Sequence, residues 1–139
     1  MSERYSVAVA SGSLKPLEGP VVQFPHRWTS EGVSVMTNVT GAHLLHLAAA
    51  GCVLNDVYRE AEQLGIQVDG VRVEASGGYD FDSWQSTGIE YTVRIATPTS
   101  PAEVGRLLER VDAVAEIPRA IRAGAPVRRS TIAVGPPQP

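Results

Sequence analysis

The hydrophobic patterns along the chain predict an α+β domain with the order β-β-β-α-β-β-α-β, built around one long central helix. Three observations carry this. The stretch Thr40 to Gly65 has no charge between Gly41 and Leu54 and is apolar on every face. Such a helix is covered all round, and its apolar part is too short to cross a bilayer, so what covers it is protein. Before it, Tyr5, Val7 and Val9 alternate in RYSVAVA as a half-buried strand does, with short strands following at Val21 to Phe24 and Val33 to Met36. After it, Ile89, Tyr91, Val93 and Ile95 face one way while Glu90, Thr92 and Arg94 face the other, the signature of a sheet with one wet face.

The elements are bounded by their own end signals. SGSLKPLEGP interrupts the first strand with glycine and proline, PHRWTSEG is a bend before the third, and the first three strands are expected as a meander. Thr40 or Asn38 caps the central helix and Gly65 ends it in the left-handed region, leaving about 24 residues and roughly 36 Å of axis. Its second half, NDVYREAEQ, is polar and is expected to emerge towards solvent or a polar pocket. GGYDFDSWQSTG reads as a hairpin connection. In SPAEVGRLLERVDAVAE, Ser100 with Glu103 three residues on forms a capping box, and Pro101 stands at the first helical position. Val104, Leu107, Leu108, Val111 and Val114 give this helix one apolar stripe. Pro118 ends or kinks it, IPRAIRAG is read as a turn, Val127 to Val134 as a last strand, and residues 135–139 as a disordered tail after a single domain over 1–134.

Composition narrows the function classes. Hydrophobic residues at 43% and charged residues at 19% suit a soluble globular domain, and no span is long enough for a membrane helix. A net charge of −3 without a basic run argues against nucleic acid as a partner. No basic region followed by an apolar stretch opens the chain, and one cysteine makes no internal disulfide, so a cytoplasmic protein with a reduced thiol is expected.

LLHLAAAGCVLNDVYREAEQLGIQVDGVRVEASG, with Gly-Cys inside a leucine and alanine run, a long helix, GI and a V-x-V strand, resembles the OsmC/Ohr superfamily. PRAIRAGAPV resembles that superfamily's closing R-x-(L/I)-R-x-G-x-P-V, and the likeness spans about residues 33 to 134. The resemblance implies an intertwined homodimer with two cysteine helices together and two sites at the interface. It also implies a thiol peroxidase acting on organic hydroperoxides, in which an arginine and a glutamate hold the thiolate and a second cysteine resolves the sulfenate. An independent argument agrees with the dimer: one small sheet screens one side of an all-apolar helix, and Ala48, Ala49, Ala50 and Gly51 allow close approach of a partner.

Matched residue by residue, Cys52 stands at the reactive cysteine. Ala115, in AEIPR, stands where the superfamily has its second cysteine, and Ala42 falls near its glutamate. The arginine from the N-terminal loops corresponds to Arg27 in PHRW. From helical spacing alone, Asp56 at i+4 and Arg59 at i+7 share the face of Cys52, so Arg59 is the in-helix candidate to hold a thiolate and Asp56 works against it unless it orients Arg59. An ordinary Asp56–Arg59 surface pair beside a small buried cysteine is the plain alternative. Trp28, Trp84, Glu116 and Arg119 are candidate ligand-binding residues. His46, read as a core or interface histidine, joins them. His43 and His46 at i, i+3 lack a third ligand, so no metal and no cofactor are expected.

Three readings arise from the residues. One is a one-cysteine organic hydroperoxide reductase that uses an external thiol reductant. Another is a homodimer that holds a small hydrophobic or thiol-bearing ligand without turnover. The third is a partner-binding homologue with a filled interface.

Overall fold

The computed structural model describes residues 4–19 and 21–130. The strands are β1 (Val7–Gly12), β2 (Val22–Phe24), β3 (Val33–Met36), β4 (Gly70–Tyr79) and β5 (Ser86–Ala96). The helices are α1 (Gly41–Leu64), α2 (Pro101–Val114) and α3 (Glu116–Ala123). The strands form one antiparallel sheet in the order β2-β3-β1-β4-β5, so the first strand made is the central one. This differs from the expected meander, because β3 lies between β1 and β2. None of the described helices is long and apolar enough to cross a membrane.

Register sorts the side chains. Val9 lies opposite both Val35 and Val73, and Val73 opposite Val93, so one face of the sheet is a valine layer. That layer packs on α1 through Val53, Leu54, Val57 and Ala61. Within it, the Ser11 hydroxyl meets the Tyr58 hydroxyl of α1 at 2.7 Å, which satisfies two polar groups on the apolar face. The opposite face carries Arg72, Glu74, Glu90, Thr92 and Arg94, with Arg72 donating to Glu74 at 2.8 Å. The alternation expected of β5 is thus observed.

The ends of α1 agree with the sequence signals. The Thr40 side chain accepts the His43 N–H, and Gly65 takes φ 69°. One chain covers only half of the helix. Ala49, Ala50, Val53, Leu54, Val57 and Ala61 are buried against the sheet and its neighbours, while Leu44 is 44% exposed and Ala48 is exposed on the opposite arc. Ala49 and Ala50, expected as part of a partner seam, face this chain's own interior, and the outward small residues are Ala48 and Gly51.

Two differences from expectation lie beyond α2. Ser100 accepts the Glu103 N–H and Pro101 opens the helix as expected, but α2 stops at Val114 and Ala115 turns extended. Continued as one helix, the Pro118 ring would strike the Val114 carbonyl four residues back. A new helix begins at Glu116 instead, where Pro118 sits in the first turn and its missing N–H costs nothing. The segment read as a turn is therefore α3. Residues 127–130 form no strand and pair with neither edge of the sheet, and Val127 is 94% exposed. The rest of that expected strand, and the tail after it, lie outside the described residues.

Candidate functional site

The α2-to-α3 kink brings Glu116, the first residue of α3, onto the outer face of α1 beside Cys52. The half-buried Cys52 thiol donates to Glu116 Oε2 at 3.5 Å. The other oxygen, Glu116 Oε1, accepts from Arg59 at 2.9 Å. Arg59 also lies 3.0 Å from Asp56 Oδ2 and 3.4 Å from Glu60 Oε2. Cys52, Asp56 and Arg59 therefore do share one face, as their spacing predicts, and Glu116 joins them from a different element. The arginine contacts three carboxylates rather than the sulfur.

Electrostatics reflect that arrangement. Desolvation pushes the Cys52 thiol above its ordinary value, and Asp56 and Glu116 push the same way, while the Ile117 backbone N–H pulls against them. Asp56 is 2% exposed. Desolvation raises its carboxyl to about 6 despite Arg59, with Glu116 and Glu60 adding to the rise. Asp56 Oδ2 lies close to Arg59, but the contact is not aligned as a hydrogen bond, so this buried oxygen has no donor. Glu116 is held below the usual carboxylate range by its own backbone N–H at the start of α3 and by Arg59.

The raised Asp56 carboxyl has a testable consequence. Its folded-state value near 6 exceeds the ordinary 3.8, so the native state binds the extra proton between those limits. The stability this group contributes is fully present below 3.8 and is lost as pH rises through 6. Urea unfolding of Asp56→Asn is expected to lose that downward contribution between pH 3.8 and 6. An unchanged pH profile in the variant counts against the raised carboxyl.

The polar half of α1 is expected to emerge towards solvent or a polar pocket, and Glu60 meets the second: it is 4% exposed and bonded to Arg110 of α2 at 2.7 Å, while Arg110 also reaches Gln63. The spacing Cys52, Asp56, Glu60 at successive i+4 steps is the signal that puts these groups in one row.

The remaining candidates lie elsewhere on the chain. Arg27 stacks over Trp28 at 5.4 Å, and Trp28 borders a hollow with Tyr58 and Ile66. Arg119 lines an open depression with Asp112 and Arg122. Trp84 sits at the β4–β5 hairpin tip at φ 60°, edge-on to Phe81 and 70% exposed. His46 is fully buried, its Nδ1 2.7 Å from the Tyr5 carbonyl, its Nε2 without a hydrogen-bond partner and its ring stacked on Tyr79. His43 pairs with Thr40 through Nδ1.

A cavity of about 290 Å³ opens next to this cluster, walled by Ala49 of α1, Gly88, Ile89 and Tyr91 of β5, and Pro118 and Ile121 of α3, with Ser86 and Arg122 also lining it. None of Cys52, Asp56, Arg59 and Glu116 lines the cavity, but Ala49 lies one turn before Cys52 on α1 and Pro118 two residues after Glu116, so cavity and cluster are neighbours along both helices. No sequence pattern announced it, because its walls come from three elements separated by up to 73 residues in the chain.

The comparisons agree with this architecture. The model of the family described as OsmC-like protein matches residues 37–129, which contain α1, the whole cluster and α3. A crystal structure of an OsmC-like hydroperoxide resistance protein from Jannaschia sp. CCS1 superposes with a TM-score of 0.58 at 14% identity, covering 95% of each chain. At that identity the likeness speaks to the fold alone. No curated protein matches the sequence. With its family match running through more than half of the chain and the same fold found in a solved structure, this protein belongs to the OsmC-like family.

Proposed function

We propose that this chain is a one-cysteine thiol peroxidase for organic hydroperoxides that relies on an external thiol. The observation that carries the reading is a half-buried thiol joined to the Glu116–Arg59 pair, one helical turn along α1 from a wall of an apolar cavity. An apolar tail suits the cavity walls, and the peroxide group would then lie towards Cys52. The thiol gives its proton to Glu116 Oε2, to which it is already hydrogen-bonded. The thiolate attacks the terminal peroxide oxygen, the O–O bond breaks, and sulfur keeps the OH as sulfenic acid. The departing alkoxide takes up the proton and leaves as the alcohol. One external thiol then condenses with the sulfenic acid and releases water, and a second displaces the mixed disulfide to restore Cys52.

The setting of Cys52 makes the first step slow. Two carboxylates near the sulfur and partial burial favour the thiol over the thiolate, and only the thiolate attacks. Ala115, where the family resemblance places a second cysteine, is fully buried and supplies no thiol to resolve the sulfenate.

Assembly belongs to the same proposal. The outer arc of α1, with Leu44 and Ala48 exposed and Leu45, Gly51 and Cys52 partly covered, is an apolar stripe that its own chain covers incompletely, and a second copy on it would complete the burial that the sequence calls for. Arg27 and Trp28 would then be free to approach the site from the partner. The lone thiol suits a reducing compartment such as the cytoplasm.

After mild treatment with an alkyl hydroperoxide, a sulfenate-trapping reagent is expected to label Cys52 in the wild type and nothing in Cys52→Ser, with turnover only when a small thiol is added. A thiol count unchanged over hours in folded protein overturns the peroxidase. In that case a second reading applies, a module holding a small hydrophobic ligand without turnover, which the protonated state of Cys52 favours.

A further inference from the structure

Cys52, Asp56 and Glu116 each bring a ligand atom to within 4.8 Å of the other two, and no other trio of His, Cys, Asp or Glu among the described residues does so. We propose that these three side chains form a binding site for a borderline divalent cation, Zn²⁺ above all, with Arg59 orienting the carboxylates from outside and a fourth position open to water. The proposal goes beyond the peroxidase reading and does not depend on it.

Geometry is the first support. In a tetrahedral zinc site with Zn–S about 2.3 Å and Zn–O about 2.0 Å, neighbouring sulfur and oxygen ligands stand about 3.5 Å apart. Cys52 Sγ and Glu116 Oε2 are 3.5 Å apart. Cys52 and Asp56 are one turn apart on the same face of α1, the i, i+4 spacing by which a rigid helix offers two ligands to one metal. Glu116 closes the third corner from α3, and its exposure leaves a side open to solvent.

The second support is independent of ligand spacing. Asp56 is a buried carboxylate whose Oδ2 receives no hydrogen bond and meets only the Arg59 guanidinium, at 3.0 Å and out of line, so the oxygen keeps acceptor capacity for a further cation. Once metal binding has displaced the thiol proton, Cys52, Asp56 and Glu116 carry three negative charges against one positive charge on Arg59, with Glu60 offset by Arg110, and a dication brings the remaining two to zero. Arg59 holds Glu116 through Oε1, leaving Oε2 turned to the sulfur, as an outer partner does when it fixes a ligating carboxylate. One thiolate with two carboxylates suits zinc better than magnesium or calcium, which take oxygen alone, or copper(I), which prefers sulfur.

Binding replaces the thiol proton: Cys52–SH and Zn²⁺ give the zinc thiolate and one free proton, with no change of oxidation state. The bound sulfur is then a ligand, withheld from oxidants until the metal leaves. Reduced, untagged full-length chain is titrated anaerobically with Co²⁺, with no peroxide present. One equivalent is expected to give near-ultraviolet sulfur-to-cobalt charge transfer with the visible intensity of a four-coordinate site and to release about one proton, and Zn²⁺ then displaces the cobalt. Cys52→Ser is expected to lose the charge-transfer band. Glu116→Gln, at a solvent-exposed position where folding is not at stake, is expected to weaken Co²⁺ binding at least about tenfold, since loss of even an outer partner costs that much. Absence of the band at one equivalent, or binding in Glu116→Gln equal to wild type, overturns the site whether or not the chain reduces peroxides.

Discussion

Ala50→Trp is expected to abolish cooperative folding. Ala50 has no exposed surface and faces the core formed by Val53, Leu54, Val57 and the valine layer of the sheet. Overpacking a well-filled site usually costs about 1–3 kcal/mol and sometimes more, against a total of about 5–15 kcal/mol for a domain. An indole replacing a methyl group at the middle of a 24-residue helix lies far outside the small adjustments a core absorbs. The control is a neighbour on the outer arc of the same helix. Ala48→Trp is exposed within one chain and is expected to fold with a wild-type circular dichroism spectrum, while light scattering reports a monomer if the outer arc is the dimer seam. A cooperative melt of Ala50→Trp at the wild-type temperature would contradict the packing of α1 on the sheet.

Leu107→Ala carries the second large effect. Leu107 and Val111 are the buried stripe of α2, and Leu107 is completely inaccessible. Truncating a leucine at such a site costs about 2–5 kcal/mol, the spread reflecting how far the surroundings collapse into the space. The loss is expected as a lower urea midpoint with an unchanged m-value. It should also reach the site. α2 delivers Ala115 and Glu116 to α1, and its Arg110 holds Glu60, so loosening α2 is expected to free Arg59 as well. An unchanged urea midpoint would show that α2 contributes little to the core.

Local signals are legible where one residue settles one piece of backbone. Thr40 and Gly65 set the ends of α1, Ser100 and Pro101 open α2, and the alternation in β5 gives its two faces, because capping, proline geometry and pleat act within a few residues. Pro118 is legible as an interruption but not as the start of α3, since a proline forbids continuation of one helix without dictating the conformation of the residues beyond it. The central place of β1 is hidden because pairing partners are chosen across the whole chain.

The site divides along the same line. Cys52, Asp56 and Arg59 are found from the sequence because they lie on one helix, where spacing fixes the face. Glu116 is named as a candidate ligand-binding residue, but its grip on both Cys52 and Arg59 depends on a kink between helices. Glu60 lies in the half of α1 expected to meet solvent or a polar pocket, and the choice between the two is made by Arg110, fifty residues away on α2.

The central position of β1 bears on how the chain is made. Val7 pairs with Ala75 and Ala8 with Met36, so β1 leaves the ribosome before either of its neighbours, and its second arrives only with β4. Until then a run of valine and alanine with unpaired backbone waits in the nascent chain, open to chaperones or to another such strand. Closing loops of that length before any pairing is rewarded makes folding slow on the scale of small domains. Synthesis therefore sets a schedule in which the sheet grows outward from a strand that stays incomplete until after the cysteine helix has been translated.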